Sequence, residues 1–403
     1  MFRRPIINTL IQVGGKIVAV LIGLMITGLL TRNLGTEKYG SYVLISSLFV
    51  FLDSLADFGT KIIGVREAAG KDNEKKEILW VQVGWLRIFL SSAAFLTGLL
   101  VANLWKGFEG IRQEAFLGLV LIFFTSIAGS AEIIWQTKMK MEFKVAVDSL
   151  FSLLFLGLLW INRTDLNLGG VFVYLLIARV VSLIMGLGLI WVKGTLKKIG
   201  FWDRKVMGKL LKETWPMGLY LLVFASYDRA VDSLLIERYV GIKEVGWYGL
   251  AYKIYATLLQ PVYFYVSSIF PLMSSKLVDK DKLMRYSGWI ITGVLLVGLP
   301  VTYVLAPWMI EILGGSEFEP SVQIIRILLV AIMFSYLNHL WGFNLIAKRG
   351  QEDLLKVGLT ALIVNIGLNI LIIPRYGIIG AAGVTAVTEA SSFLMIKASL
   401  RSK

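Results

Sequence analysis

The chain has 403 residues, of which 57% are hydrophobic and 17% are charged, and its formal net charge is +14. Soluble globular proteins usually carry about a quarter charged residues, so this composition excludes a soluble globule and predicts an integral membrane protein. The sequence has no cysteine and a single histidine, which excludes disulfide, thiolate and zinc chemistry as the basis of its function.

Apolar segments long enough to cross a bilayer as helices recur along the whole chain, since about twenty residues span the hydrocarbon core. In chain order they are 6–30, 42–62, 79–102, 115–135, 145–161, 170–192, 214–236, 247–272, 287–309, 323–346, 354–373 and 378–399. The first segment is too long for the core of a signal peptide, so it is interpreted as a span. The sequence therefore predicts an all-α integral membrane fold of about twelve transmembrane helices.

One eleven-position pattern, Arg-x-x-Gly-x-x-x-x-Gly-x-Tyr, occurs at 32–42 and again at 238–248. The two copies lie about half the chain length apart, so six spans fit in each half. An even number of spans gives both halves the same orientation, which predicts two six-helix lobes related by a pseudo-two-fold axis along the membrane normal. The predicted lobes are 1–192 and 214–403.

The segment between the predicted lobes, 193–213, is rich in Lys and Arg. As a helix it would place Trp202, Val206, Leu210 and Glu213 on one face. This pattern predicts a basic amphipathic helix that lies on the inner leaflet and joins the lobes. A solvated linker without regular structure is the alternative.

The distribution of Lys and Arg predicts the orientation of the chain. Most of these residues fall in short segments that face inward when the N-terminus is cytoplasmic, and few fall in the outer loops. The positive-inside rule therefore predicts a multi-pass protein of the cell membrane with both termini in the cytoplasm. The positive net charge then serves topology and attraction to anionic membrane lipids, and no nucleic-acid partner is predicted.

Cations occur inside the predicted spans, where each costs about 2.5 to 3.5 kcal/mol and needs a partner or a hydrated cavity. Five of them are candidates to bind an anionic headgroup in a cationic cavity: Lys16, Arg87, Arg179, Arg229 and Lys253. The Arg fork suits phosphate oxygens, and Lys acts as a compact point charge. The alternative for each is a structural ion pair, such as an Asp of the second span that neutralises Arg87 or Arg179.

Other polar residues inside the spans lie four positions apart and therefore share helix faces. The candidates to line a hydrated cavity are Asn8, Gln12, Asn365 and Asn369, and the candidates for coupling to an ion are Asp53, Asp57, Asp228, Asp232 and Glu389. Charged residues near span ends are expected to reach towards the interface, and these are Lys61, Glu132, Asp148 and Arg326. No phosphate-binding loop for ATP is present, so no cofactor is predicted; a proton, a sodium ion or the membrane potential could drive transport.

Four short stretches stand in order at predicted loops along nearly the whole chain. They are Thr31-Arg-Asn-Leu-Gly35-Thr-Glu-Lys-Tyr-Gly40, Gly241-Ile-Lys-Glu-Val-Gly246-Trp-Tyr248, Leu313-Gly-Gly-Ser-Glu-Phe318 and Pro374-Arg-Tyr-Gly-Ile-Ile-Gly-Ala-Ala382. Together they resemble the outer loops and last hairpin of oligosaccharide flippases, the polysaccharide-exporter branch of the superfamily that also contains multidrug and toxin extruders. The binding residues of that family cannot be matched to individual positions here, because helix interiors diverge between its members.

The resemblance implies a function. It implies two six-helix lobes in a V that open alternately inward and outward and move a polyprenyl-(di)phosphate-linked oligosaccharide from the inner to the outer leaflet. The implied partners are this lipid-linked substrate, membrane lipids and enzymes of polysaccharide assembly, and the family's cavity is cationic. A pathway between two internal halves allows the carrier to function as a monomer.

Four other functions compete with this interpretation. A multidrug extruder of the same fold would favour acidic and aromatic cavities, whereas the cations predominate here. A major-facilitator transporter would carry a characteristic loop that residues 66–76 do not fit. An integral-membrane polysaccharide polymerase or ligase would need a sizeable outer loop, and the predicted outer loops are short. An accessory scaffold without transport would not need charges inside the spans.

Overall fold

The computed structural model of the protein describes residues 3–68, 71–192, 200–226, 230–274, 279–348 and 350–402. Its helices are α1 (Arg3–Asp57), α2 (Thr60–Ala68), α3 (Asn73–Leu104), α4 (Arg112–Thr137), α5 (Met141–Ile161), α6 (Leu168–Val192), α7 (Arg204–Ala225), α8 (Val231–Tyr239), α9 (Ile242–Leu258), α10 (Gln260–Ser274), α11 (Lys280–Gly314), α12 (Ser321–Ala347) and α13 (Gln351–Arg401). Three short 3₁₀ helices complete the described elements, among which there is no strand. The predicted all-α fold class is confirmed.

Eight helices within the described ranges are long and apolar enough to cross a membrane. Helices α1 and α13 contain 55 and 51 residues, and at about 1.5 Å per residue each is long enough for two crossings. Each of the two is kinked at a glycine with positive φ, Gly35 (71°) and Gly377 (58°). Both kinks lie where the sequence predicts an outer loop, and the count of twelve spans stays a prediction.

The predicted segment 42–62 is not one continuous helix. Phe58 (φ 40°) and Gly59 (φ 76°) interrupt it between α1 and α2. A β-carbon on Gly59 would lie 2.9 Å from the Cβ of Met217, so α7 passes too close for any larger residue at this break. The interruption places Asp57 and Thr60, on its two sides, next to the same partner on α3, which is described below.

The basic segment before the seventh predicted span is continuous with that span, because α7 begins at Arg204 and ends at Ala225. Residues 200–203 are held to α3 by Gln82, whose Nε2 donates to the carbonyl of Phe201 (2.8 Å) and whose Oε1 accepts from the backbone N–H of Asp203 (2.7 Å). The predicted inner-leaflet location of 193–213 stays a prediction, and residues 193–199 lie outside the described residues.

The chain forms two compact units. Unit 1 comprises residues 1–34 and 45–225, and unit 2 comprises 35–44 and 226–403. These units differ from the predicted lobes in two places, since α7 belongs to unit 1 and a segment of α1 belongs to unit 2. In unit 1, α4 lies against α2, α3, α5 and α6; in unit 2, α12 lies against α9, α10, α11 and α13.

The two copies of the sequence repeat contact each other inside unit 2 through their second glycines. A β-carbon on Gly40 would overlap the carbonyl oxygen of Ile242, and one on Gly246 would overlap the carbonyl oxygen of Thr36. The contact is reciprocal. Each carbonyl belongs to the residue four positions before the second glycine of its own copy, and it contacts the second glycine of the other copy. Both positions therefore require glycine for backbone packing.

Candidate functional site

Charged side chains inside unit 1 line a cleft of about 200 Å³ between α2, α4, α5 and α6. Its charged residues are Lys61, Glu132, Lys144, Asp148 and Arg179. Its other lining residues are Thr125, Ala128, Gly129, Trp135 and Val147. The cations of this lining outnumber the carboxylates, so the cleft has an excess of positive charge.

The two lysines of the cleft are paired with its carboxylates. Lys144 Nζ lies 2.6 Å from Asp148 Oδ2 and 3.4 Å from Glu132 Oε1. Lys61 Nζ lies 3.9 Å from Glu132 Oε2. The side chains of these four residues are between 24% and 49% exposed. Ion pairs that are partly exposed contribute about 0 to 1 kcal/mol each to stability. The pairs are therefore weak enough to exchange partners.

Arg179 lies in the middle of α6, with its guanidinium carbon 4.0 Å from the centre of the Phe151 ring. It interacts electrostatically with Asp148 and Asp53. Its buried Nε has no hydrogen-bond partner within the described part of the chain. A buried donor left unsatisfied costs about 1 to 3 kcal/mol, so this N–H favours an acceptor that enters the cleft.

Arg87 is buried, with 1% of its surface exposed, and forms an ion pair with Asp57 across the interruption between α1 and α2. Its Nη1 also donates to Thr60 Oγ1 (2.7 Å), and its Nε donates to the carbonyl of Ser126 (2.8 Å). A β-carbon on Gly129 would overlap Nη2 of this guanidinium. This arrangement is the structural pair that the sequence offered as the alternative, and direct binding of a substrate by Arg87 stays a prediction.

Two more of the predicted residues of unit 1 lie near the cleft. Lys16 is exposed on α1 and interacts electrostatically with Lys144 and Glu132. Asp53 interacts electrostatically with Arg179, and its Oδ1 is buried without a hydrogen-bond partner among the described residues. The structure therefore brings Lys16, Asp53 and Arg179 together around one site.

A second polar cluster is buried in unit 2 around Asp232 of α8. Tyr248 of α9 donates to its Oδ2 (2.7 Å), and Asn369 of α13 donates to its Oδ1 (2.7 Å). Thr385 Oγ1 donates to Oδ2 at 3.4 Å, and the Nδ2 of Asn369 also reaches Asn365 Oδ1 at 3.1 Å. The Oδ1 of Asn369 is buried and has no hydrogen-bond partner in the described ranges. Three residues predicted from the sequence, Asp232 of α8 and Asn365 and Asn369 of α13, thus meet in one cluster, which we call the Asp232 cluster.

Two further predicted residues lie in unit 2. Glu389 accepts a hydrogen bond from Asn338 Nδ2 at 2.8 Å, and Lys253 is half-buried on α9. Asp228 and Arg229 lie outside the described residues. The side chains of Asn8 and Gln12 also lie outside them.

Sequence reasoning missed most of the cleft lining. It assigned Lys61, Glu132 and Asp148 to span ends that reach for the interface, and Lys144 lies just before the predicted span 145–161. The available signal was the spacing of Lys144 and Asp148, which stand four residues apart in the first turns of α5. Tyr248 was also missed as a partner of an acid, although it is the last residue of the second repeat.

Solved structures of transporters share this fold. The inward-facing conformation of a multidrug resistance MATE family transporter of the MOP superfamily is similar with a TM-score of 0.79 and 15% identity, over 96% of this chain and 96% of that chain. The lipid II flippase MurJ in an inward closed conformation is similar with a TM-score of 0.78 and 15% identity, over 97% of this chain and 87% of that chain. At this identity the likeness shows the fold alone.

Curated relatives match at low identity. The probable low-salt glycan biosynthesis flippase Agl15 of Haloferax volcanii is 22% identical over 387 residues, which is 91% of this chain and 79% of the relative. The uncharacterized membrane protein MJ1068 of Methanocaldococcus jannaschii is 26% identical over 285 residues, or 66% of this chain. That match spans 54% of the relative's length, about half of it.

The profile of a protein family matches residues 6–277 of the chain, and the family is described as polysaccharide biosynthesis protein. This match covers more than half of the 403 residues. It agrees with the apolar helices and with the transporter fold of the similar structures. The chain therefore belongs to the polysaccharide biosynthesis protein family and is a multi-pass membrane protein.

Proposed function

We propose that the protein is a flippase that moves a polyprenyl-(di)phosphate-linked oligosaccharide from the cytoplasmic to the outer leaflet by alternating access. Family membership supports this proposal, as does the similarity to Agl15, which is named a probable flippase of glycan biosynthesis. The fold is shared with a solved lipid II flippase. In this proposal the protein is a transporter and not an enzyme. The lipid-linked oligosaccharide that it moves serves the assembly of a cell-surface polysaccharide or glycan.

The observation that carries the proposal is the excess of cations in the unit 1 cleft, together with the unsatisfied Nε of Arg179. Cations inside apolar helices are costly unless an anion neutralises them, and a phosphate group of a lipid carrier is such an anion. Of the five cations proposed from the sequence, Arg179 lines this cleft and Lys16 interacts with two of its lining residues. Arg87, Arg229 and Lys253 remain proposed contributors to headgroup binding.

The membrane potential can drive export of such a substrate. Each negative charge moved outward across a potential that is negative inside releases about 2.3 kcal/mol per 100 mV. A diphosphate carrier therefore gains energy on the outward step, and a bound cation can return with the empty protein. We assign this cation, a proton or a sodium ion, to the Asp232 cluster, where the buried Oδ1 of Asn369 offers an oxygen ligand beside the carboxylate.

The coupling role of the Asp232 cluster has its own test. Replacement of Asp232 by Asn keeps the size of the side chain and removes its charge, so transport should lose its stimulation by a sodium or proton gradient. Flipping in proteoliposomes is measured with and without each gradient, with Asp165→Asn on the exposed loop after α5 as the matched control. A gradient response that Asp232→Asn leaves intact contradicts the assignment.

The proposed location is the cell membrane, with both termini in the cytoplasm and membrane lipids around the spans. The proposed partners are the lipid-linked oligosaccharide and the enzymes that assemble the polysaccharide. The carrier is proposed to function as a monomer.

Export of organic cations is the second candidate function, because a multidrug transporter has the same fold. The excess positive charge of the unit 1 cleft opposes it, since an organic cation would be repelled there. Resistance to cationic dyes on overexpression would favour this candidate. An integral-membrane polysaccharide polymerase or ligase is a third, more distant alternative.

Translocation in proteoliposomes tests the proposed function directly. The purified protein is reconstituted with a labelled polyprenyl-diphosphate oligosaccharide, and exposure of the glycan to an impermeant glycosidase is followed over time. Wild-type protein should accelerate exposure, and Arg179→Ala should reduce it at least tenfold. Arg326→Ala is the matched control, because Arg326 also stacks on an aromatic ring, at 4.5 Å from the centre of Tyr303. Exposure equal to that of empty liposomes contradicts the proposal.

A further inference from the structure

We propose that Lys61, Lys144 and Arg179 form a phosphate subsite that Glu132 and Asp148 occupy until an anion displaces them. The two carboxylates are then built-in competitors of the ligand and not part of a cation site. This inference deepens the proposed function and rests on it for the identity of the lipid that carries the phosphate.

The geometry of the cleft supports competition. Lys144 contacts both carboxylates, at 2.6 Å from Asp148 and 3.4 Å from Glu132, and Lys61 contacts Glu132 at 3.9 Å. Each lysine therefore has a carboxylate in the place where a phosphate oxygen would bind. Arg179 differs, because its Nε has no hydrogen-bond partner among the described residues.

The exposure of these groups makes the exchange feasible. The side chain of Asp148 is 49% exposed, so it has room to turn out of the cleft when it leaves Lys144. A partly exposed pair is weak, whereas phosphate offers more negative charge and more acceptor oxygens than one carboxylate. An incoming phosphate can thus replace Asp148 at Lys144 without leaving the Asp148 carboxylate buried.

The surrounding charges favour an anion as the ligand. Lys16 of α1 adds a cation that interacts with Lys144, and Asp53 of the same helix adds a carboxylate near Arg179. The Arg87–Asp57 pair is internally neutral. Displacement of Glu132 and Asp148 from the lysines therefore leaves a cleft in which the cations exceed the remaining carboxylate.

The size of the cleft identifies the part of the substrate that fits. Its volume is about 200 Å³, below the roughly 300 to 1,000 Å³ of pockets that enclose drug-sized ligands. A phosphate or diphosphate group fits this volume, whereas a whole oligosaccharide does not. We therefore assign the cleft to the charged link between lipid and glycan.

The test uses the full-length protein in detergent and isothermal titration calorimetry with inorganic pyrophosphate. Arg179→Ala should weaken pyrophosphate binding at least tenfold, because it removes a cation of the cleft and a buried donor that has no partner among the described residues. Asp148→Asn should strengthen binding about threefold to tenfold, because it removes a competitor and keeps the size of the side chain. Asp165→Asn makes the same change of net charge on an exposed loop of unit 1 and should leave the affinity unchanged.

The sign of the Asp148→Asn effect decides the proposal. Unchanged or weaker pyrophosphate binding in this variant would overturn it, and so would an equal gain in Asp165→Asn. Farnesyl diphosphate is titrated in a parallel arm: tighter binding than pyrophosphate supports a lipid as the source of the phosphate, and equal binding supports a free phosphate compound.

The outcome is separable from that of the flippase proposal. If pyrophosphate binds with the expected order of variants but no lipid-linked glycan is flipped, the subsite stands and the proposed substrate fails. If wild-type protein flips the glycan while Arg179→Ala and Asp148→Asn bind pyrophosphate with wild-type affinity, the flippase function stands and the subsite is refuted.

Discussion

The unit 1 cleft and the Asp232 cluster of unit 2 place charges among apolar helices in opposite ways. In the cleft, lysines and carboxylates neutralise one another and remain partly exposed. In the Asp232 cluster, a carboxylate with 1% exposure receives hydrogen bonds from neutral donors, among them Tyr248 and Asn369.

This difference in environment separates two kinds of function. Partly exposed ion pairs are weak and can be exchanged, which suits a site that binds and releases an anion. Hydrogen bonds to a buried carboxylate are strong and geometrically strict, which suits a site for a small cation of defined coordination. The Arg87–Asp57 pair is a third case, since it is an ion pair and it is buried.

The largest expected effect belongs to this buried pair. Arg87→Leu leaves Asp57 without its cation and should lower the free energy of unfolding by about 3 to 5 kcal/mol, measured by SDS titration of the protein in detergent micelles and followed by circular dichroism. The double variant Arg87→Leu/Asp57→Leu should recover much of this loss, because both buried charges are gone. Arg163→Leu, at an exposed position, is the control. Equal losses in the single and double variants would refute a structural role for the pair.

The next effect tests the Asp232 cluster. Tyr248→Phe removes a hydrogen bond to a charged acceptor and should lower the free energy of unfolding by about 1.5 to 3 kcal/mol in the same titration. Tyr303→Phe makes the same chemical change at a side chain with 51% exposure. It should shift the free energy of unfolding by less than about 0.5 kcal/mol. A loss no larger than that of the control would mean that the hydrogen bond at 2.7 Å contributes little.

The smallest expected effect concerns Gly129, which lines the cleft. A β-carbon on Gly129 would overlap Arg87 and lie 2.8 Å from Lys61 Cε, so Gly129→Ala should cost about 1 to 3 kcal/mol through overpacking. Gly84→Ala on α3 meets no atom within 4 Å and should be neutral or stabilising, because alanine favours a helix. Thermal unfolding of both variants, followed by tryptophan fluorescence, measures the difference. Similar unfolding temperatures would show that Arg87 and Lys61 can move aside.

Part of both sites could be predicted from the sequence. The spacing of Asn365 and Asn369 placed two members of the Asp232 cluster on one face, and Arg179 was identified from its depth in an apolar run. The partners on other helices could be narrowed but not fixed, because helix packing decides which of them meet. Asp57 illustrates the limit: the sequence offered an Asp of the second span as a partner of Arg87, but that Asp57 makes the contact depends on the interruption at Phe58 and Gly59.

The sequence by itself determined the membrane-spanning character, the helical fold class and the repeat that encloses Gly40 and Gly246, because these depend on local hydrophobicity and spacing. Tertiary structure decided which charges meet. Lys61 and Lys144 became cleft residues only through the packing of α2 and α5 against α4. In unit 2, the close approach of α9 likewise made glycine necessary at Gly40. Contacts between distant segments depend on packing geometry, which local sequence patterns do not encode.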